Sequence, residues 1–193
     1  MLFRSVIERY LHLNRVARDN QKVWDEMMPL LDKGDLQRTE ALLNSSSADL
    51  GKVLSYGMAR AKTAGAGREE IEVAMEEGLM EVSPQLEKRI HYLAAFANMS
   101  TLLGLLGTII GLISAFQAVA NAAAAEKANL LSASISEAMN CTAFGLMVAI
   151  PLLVVSLFLT TKAGNIIDSL EMASLKTLNI ISFAQIRPQQ AAE

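Results

Sequence analysis

Two long stretches of this chain carry no charge at all. No Asp, Glu, Lys or Arg occurs from Ile90 to Ala125, and none from Ala138 to Thr161. Each run exceeds the roughly 20 apolar residues that cross a bilayer as one α-helix. A buried helix of a soluble protein rarely runs so far without a charged residue, so the pattern predicts two membrane spans. The surplus of apolar residues over an ordinary soluble domain (52% hydrophobic in 193 residues, mean hydropathy +0.30) sits in these two runs. The expected fold class is therefore an all-α integral membrane protein.

Several functions are excluded early. The net charge is -3 and no basic patch stands out, which argues against nucleic acid as a partner. The single cysteine, Cys141, allows no intrachain disulfide and reads as a small packing residue among Asn140, Thr142 and Phe144. His12 and His91 lie far apart without Cys or acidic companions at ligand spacing, so no metal or other cofactor is expected. No nucleophile with a paired base and no phosphate loop appears, so an enzyme is not expected. Arg4, Glu8 and Arg9 interrupt any apolar core behind Met1-Leu2-Phe3, which does not read as a signal peptide.

The chain divides into segments. Residues 1–18 read as a helix with Val6, Ile7, Tyr10, Leu11 and Leu13 apolar. Residues 19–90 read as a compact helical domain with breaks near Pro29, at Lys33-Gly34-Asp35, at Asn44 to Ser47 and at Gly65-Ala66-Gly67. Leu30, Leu31, Leu36, Leu42 and Leu43 can pack a small hairpin there. From Arg68 a long helix starts, striped by Ile71, Met75, Leu79 and Val82. The pattern carries it through Pro84, Lys88 and Arg89 into the first span, 91–120. One helix over 68–120 would measure ~80 Å and project well beyond the hydrocarbon. A short loop, 121–131, leads to the second span, 132–162. A C-terminal amphipathic helix and tail, 163–193, fades at Arg187-Pro188.

Thirteen of the seventeen Lys and Arg precede the first span, three follow the second, and the loop holds only Lys127. Basic flanks favour the cytoplasm, which places the helical domain and the C-terminus there and the loop outside.

The spans hold more than greasy residues. Ser100, Gly104, Gly107, Gly111 and Ser114 recur at spacings of four and three, so they share one stripe along which another backbone can approach. Gly145 in the second span is a candidate for the same packing role. Thr108, near mid-span, can bond back to the preceding turn or face a wet path. Glu137 is the only charge between Ala128 and Thr161. It is either an ordinary interfacial carboxylate or one facing a cavity, a partner or a protonated state. Pro151 removes a backbone hydrogen bond at mid-span and can kink the helix.

The motif Leu103-Gly104-Leu105-Leu106-Gly107-Thr108-Ile109-Ile110-Gly111 in the first span resembles the MotA/TolQ/ExbB proton-channel family. So does Ile135-Ser136-Glu137-Ala138-Met139-Asn140-Cys141-Thr142-Ala143-Phe144-Gly145-Leu146 in the second, followed by Ala149-Ile150-Pro151. The order of a large cytoplasmic domain, two spans and a short tail is similar to the ExbB and TolQ branch rather than MotA. Members of the ExbB type begin with an apolar span before a region like Ile7-Glu8-Arg9-Tyr10. The resemblance makes helix 1–18 the end, or a remnant, of such a span, or a helix that skims the interface.

That resemblance implies a pentameric ring in the bacterial inner membrane around single-span partners of the ExbD/TolR kind. In such a ring a partner aspartate carries protons. Thr108 and Thr142 would line the lumen, with Glu137 at the outer end of the same pathway. The implied function is a proton-driven motor subunit energising a TonB-like import system. The alternatives are a TolQ-like envelope-maintenance role through a TolA-like protein, or a non-conducting oligomeric scaffold.

Overall fold

The computed structural model describes residues 2–63 and 66–190 and is helical almost throughout; Met1 and Gly65, named above, lie outside the described residues. The order is α1 (Leu2–Asp32), α2 (Leu36–Ser45), α3 (Asp49–Ala61), α4 (Arg68–Glu87), α5 (Ile90–Ala120) and α6 (Lys127–Gln190). The chain forms two compact units, one of residues 1–88 with 160–193 and one of residues 89–159.

The first unit builds its core from α1 through Leu13, Met27 and Leu31, from α3 through Val53 and Leu54, and from α4 through Ile71, Met75 and Leu86. Leu170, Leu178 and Ile181 of α6 complete it, and all of these are nearly inaccessible. The break expected near Pro29 is not there, and the boundary drawn at residue 18 falls inside α1. Met27 and Leu31 flank the proline and are both fully buried, so the core holds the last turn in place despite the lost bond. The helix ends at Gly34 instead, which takes φ +72°, a conformation glycine adopts without strain. Asp35 then caps α2, its carboxylate accepting from the Arg38 backbone N–H at 3.1 Å.

The α3 start is held from another helix: the Asn20 side-chain oxygen accepts from the Leu50 backbone N–H at 3.0 Å. Helices α3 and α4 approach closely at Gly78, where an added Cβ would lie 3.0 Å from the Val53 Cα. Beside that contact Tyr56 donates to Glu81 at 2.7 Å, and this bond to a carboxylate pushes the phenol above its ordinary range.

The uninterrupted helix expected over 68–120 is corrected by the structure. Helix α4 passes through Pro84 but ends at Glu87, and Arg89 takes a left-handed φ of 68° before α5 begins. The Arg9 guanidinium donates to the carbonyls of Gln85, at 2.6 Å, and Leu86. A helix end leaves such carbonyls without partners, and Arg9 satisfies them where a further turn would have done so.

In the second unit α5 and the first part of α6 form an antiparallel pair. Only residues 121–126 separate them, and α6 continues as one helix through Pro151, Lys162 and Pro188. The boundary at 162 and the fading at Arg187-Pro188 therefore both fall inside α6. The stretches Arg68–Ala120 and Lys127–Ser182 each contain a helix long and apolar enough to cross a membrane.

Two glycines of the first unit test this packing. Gly164, in mid-helix, has nothing within 4 Å of an added Cβ. Gly164→Ala should stabilise by about 0.5–1 kcal/mol by restricting the unfolded chain. Gly78→Val should destabilise by about 1–3 kcal/mol, because the Val53 backbone cannot move aside. Thermal unfolding in detergent, followed by circular dichroism, should show midpoints moving in opposite directions.

Candidate membrane-embedded site

The site is built on the contact between α5 and α6. A Cβ on Gly145 would lie 2.8 Å from the Ser100 carbonyl oxygen and 2.9 Å from the Gly104 Cα. A Cβ on Gly104 would lie 3.1 Å from the Gly145 Cα and 3.2 Å from the Cys141 carbonyl oxygen. Further along, Gly107 faces Cys141, and Gly111 faces Ala138 at 2.8 Å from its Cβ. Ala97, Ala115 and Ala149 extend the seam, each at most 1% exposed. Backbone thus meets backbone, the arrangement that small residues permit in lipid, where packing replaces the hydrophobic drive.

Gly104, Gly107 and Gly111 of the stripe lie against α6, and the seam drifts off the stripe at its end. Ala115 is fully buried on the seam while Ser114 is exposed. A straight helix has 3.6 residues per turn, so a stripe of alternating four and three cannot be followed indefinitely.

The two threonines meet this seam. Thr142 donates to the Gly104 carbonyl across the pair at 3.3 Å, a long bond, and Gly104 lies one turn before Thr108 on α5. Thr108 donates to the Leu105 carbonyl of its own helix at 2.6 Å. Both hydroxyls thus have a backbone acceptor within the pair, at nearly the same depth. Glu137 is exposed and stands beside Ala138 but off the seam. Five residues separate it from Thr142, which is about 7.5 Å along the axis and about 140° around it. The structure thus places Thr142 against Gly104 of α5, leaves the Thr108 hydroxyl on its own helix one turn further on, and sets Glu137 on another face of α6. Pro151 is exposed and α6 is unbroken around it.

Outside the seam the pair presents exposed apolar side chains. Leu102, Leu103, Leu105 and Ile109 of α5, and Met147, Ile150, Val154 and Leu157 of α6, are roughly half exposed or more. Such a continuous apolar surface needs lipid or further protein against it.

The motifs on this seam fall within a match to the model of the MotA/TolQ/ExbB proton channel family that covers residues 45–172. The chain belongs to this family. Among its relatives is the biopolymer transport protein ExbB1 of Vibrio cholerae serotype O1, 34% identical over 104 residues, which are 54% of this chain and 44% of that protein. Another is the Tol-Pal system protein TolQ of Haemophilus influenzae, 41% identical over 66 residues, 34% of this chain and 28% of that one. The chain spans under half the length of both of these curated relatives. Family membership and the two helices long and apolar enough to cross a membrane fit a membrane protein on the ExbB/TolQ side of the family.

Sequence reading missed the partners of the stripe. Cys141 and Ala138 receive Gly107 and Gly111, yet neither residue type signals a contact by itself. Only the antiparallel register pairs them.

The seam predicts which substitutions can be rescued. Gly107→Ala collides with the Cys141 side chain, at 2.6 Å from its Cβ. Its lower thermal midpoint in detergent should be partly restored by Cys141→Gly. Gly145→Ala collides with α5 backbone, costs about 1–3 kcal/mol, and should resist rescue by any side-chain change in α5. Equal rescue of both would show that the contact is not backbone against backbone.

Proposed function

We propose that the chain is the ring-forming subunit of a proton-channel motor of the inner membrane, working in the manner of ExbB to energise a TonB-like system for outer-membrane import. The observation that supports it best is the placement of Thr142 against Gly104, one turn from Thr108, so that the two hydroxyls bond to adjacent carbonyls of α5, those of Gly104 and Leu105. In this reading several copies, five in a pentamer, join through the exposed apolar faces of α5 and α6. Their threonines line a narrow passage that holds the acidic span of an ExbD/TolR-like partner. Glu137, off the seam, stands at the outer end of the same route.

The chemistry fits such a passage. Threonine hydroxyls accept and donate hydrogen bonds without fixing a charge, so they can hold a partner carboxylate in either protonation state. A carboxylate in a dry ring prefers different positions when charged and when neutral, since the charged form is costly there by several kcal/mol. Each proton crossing a ~100 mV potential supplies about 2.3 kcal/mol to drive that exchange. The distribution of Lys and Arg supports an orientation with residues 19–90 and the C-terminus in the cytoplasm and the 121–131 loop outside. A TolQ-like role in envelope maintenance through a TolA-like protein is the second reading, favoured by the 41% identity to TolQ across its match.

Thr108→Ala and Thr142→Val should each abolish proton-driven function while the protein still inserts and oligomerises. The measurements are growth that depends on energised outer-membrane import and native gel mobility of the membrane complex. Normal growth of both variants would contradict the assigned roles. The scaffold reading instead predicts that both threonine changes are silent and that bulky replacements at Gly107 or Gly111 break the oligomer.

A further inference from the structure

We propose that the first unit holds a binding site for a phosphate-bearing anion in a cavity between α1 and the later part of α6. The cavity has a volume of about 450 Å³. Its walls come from α1 and α6, which run side by side in the same direction, with Leu50 of α3. Lys162 meets Asn14 and stands 4.3 Å from the Tyr10 ring centre. Fourteen residues later on both helices, Lys176 stands 5.7 Å from the Trp24 ring centre. The two ammonium groups thus mark its ends, about 21 Å apart along the helix.

The lining has a one-sided chemistry. Lys162 and Lys176 bring two positive charges, Trp24 brings an indole N–H, and among the described residues no Asp or Glu lines the cavity. The aromatic faces attract the ammonium groups but do not neutralise them. Asn20 is only 6% exposed. Its oxygen is taken by the Leu50 N–H, while its amide nitrogen is buried without a partner among the described residues. A buried donor left unmatched is uncommon and costly. It lies one helical turn before Trp24 on α1, in a residue that lines the cavity. Ile166 and Leu170 give the floor an apolar strip.

An anion at the Lys176–Trp24 end meets a charged ammonium donor beside an indole ring, chemistry that suits phosphate oxygens, with the buried Asn20 amide one turn away on α1. The cavity is far larger than one phosphate, and its apolar floor runs back towards Lys162, so the ligand carries an organic body. Two sources share this chemistry: the phosphoglycerol headgroup of an anionic phospholipid, and a soluble phosphate ester. The site is independent of the proton-pathway reading, since it uses none of the residues on the α5–α6 seam.

Trp24 is the only tryptophan in the chain, so its emission reports this cavity without a label. The full chain in phosphatidylcholine nanodiscs is titrated in one arm with phosphatidylglycerol and in another with sn-glycerol 3-phosphate. A saturable change of Trp24 emission in the first arm alone identifies the lipid headgroup. A change in the second identifies a soluble ester. In either case Lys176→Gln should weaken the response at least about tenfold, and Lys176→Arg should retain it. Circular dichroism confirms that both variants keep their helices. No saturable change in either arm, or a Lys176→Gln protein that titrates like the parent, overturns the proposal.

Discussion

The second unit depends on one constraint, the contact of α5 and α6 backbones at Gly104 and Gly145. There an added methyl group would sit 2.8–3.1 Å from backbone atoms of the other helix. In lipid no hydrophobic drive presses helices together, so close packing and interhelical hydrogen bonds do that work. Small residues at 104, 107, 111, 138, 141 and 145 make the approach possible. The approach in turn lets a hydroxyl on α6 reach a carbonyl on α5. Thr142 stands where it does because two glycines leave it room. Bulk on this seam would shift the threonine pair before it touched either threonine.

The two units are joined covalently at two places, and these differ. At 159–160 the chain passes within α6, a single helix of 64 residues. At 88–89 it passes through a non-helical step with Arg89 in the left-handed region. A left-handed arginine costs of order 1 kcal/mol and persists where its surroundings fix it. Just before this step, Arg9 closes the end of α4 from a helix some 76 residues earlier in the chain.

Much of this was legible in the residues. The uncharged runs fall in the two helices long and apolar enough to cross a membrane, and the motifs read as family-like fall within the family match. Local rules failed where distant groups intervened. Pro29 predicts a break, but Met27 and Leu31 are held by a core that no window around the proline reveals. The helical pattern over 68–120 hides a break, because the group that ends α4 is Arg9. Glycine spacing gave the stripe, and helical drift moved its end from Ser114 to Ala115. Glu137 and Thr142 look like neighbours in sequence, yet the helical turn places them on different faces. The outcomes at Pro29 and at the end of α4 are decided by contacts across the chain, and the other two by the 3.6-residue turn of the helix.

The central claim is that the α5–α6 pair turns Thr108 and Thr142 towards a passage enclosed by several copies, not towards lipid. Thiol accessibility in the assembled protein tests it most directly. In a Cys141→Ser background, single cysteines at 108, 142 and the outward-facing Leu102 are exposed to a charged, water-soluble thiol reagent in membranes. The account predicts modification at 108 and 142, slowed when the acidic single-span partner is present, and none at 102. Equal inertness at all three positions, or modification at 108 and 142 that the partner leaves unchanged, would contradict it.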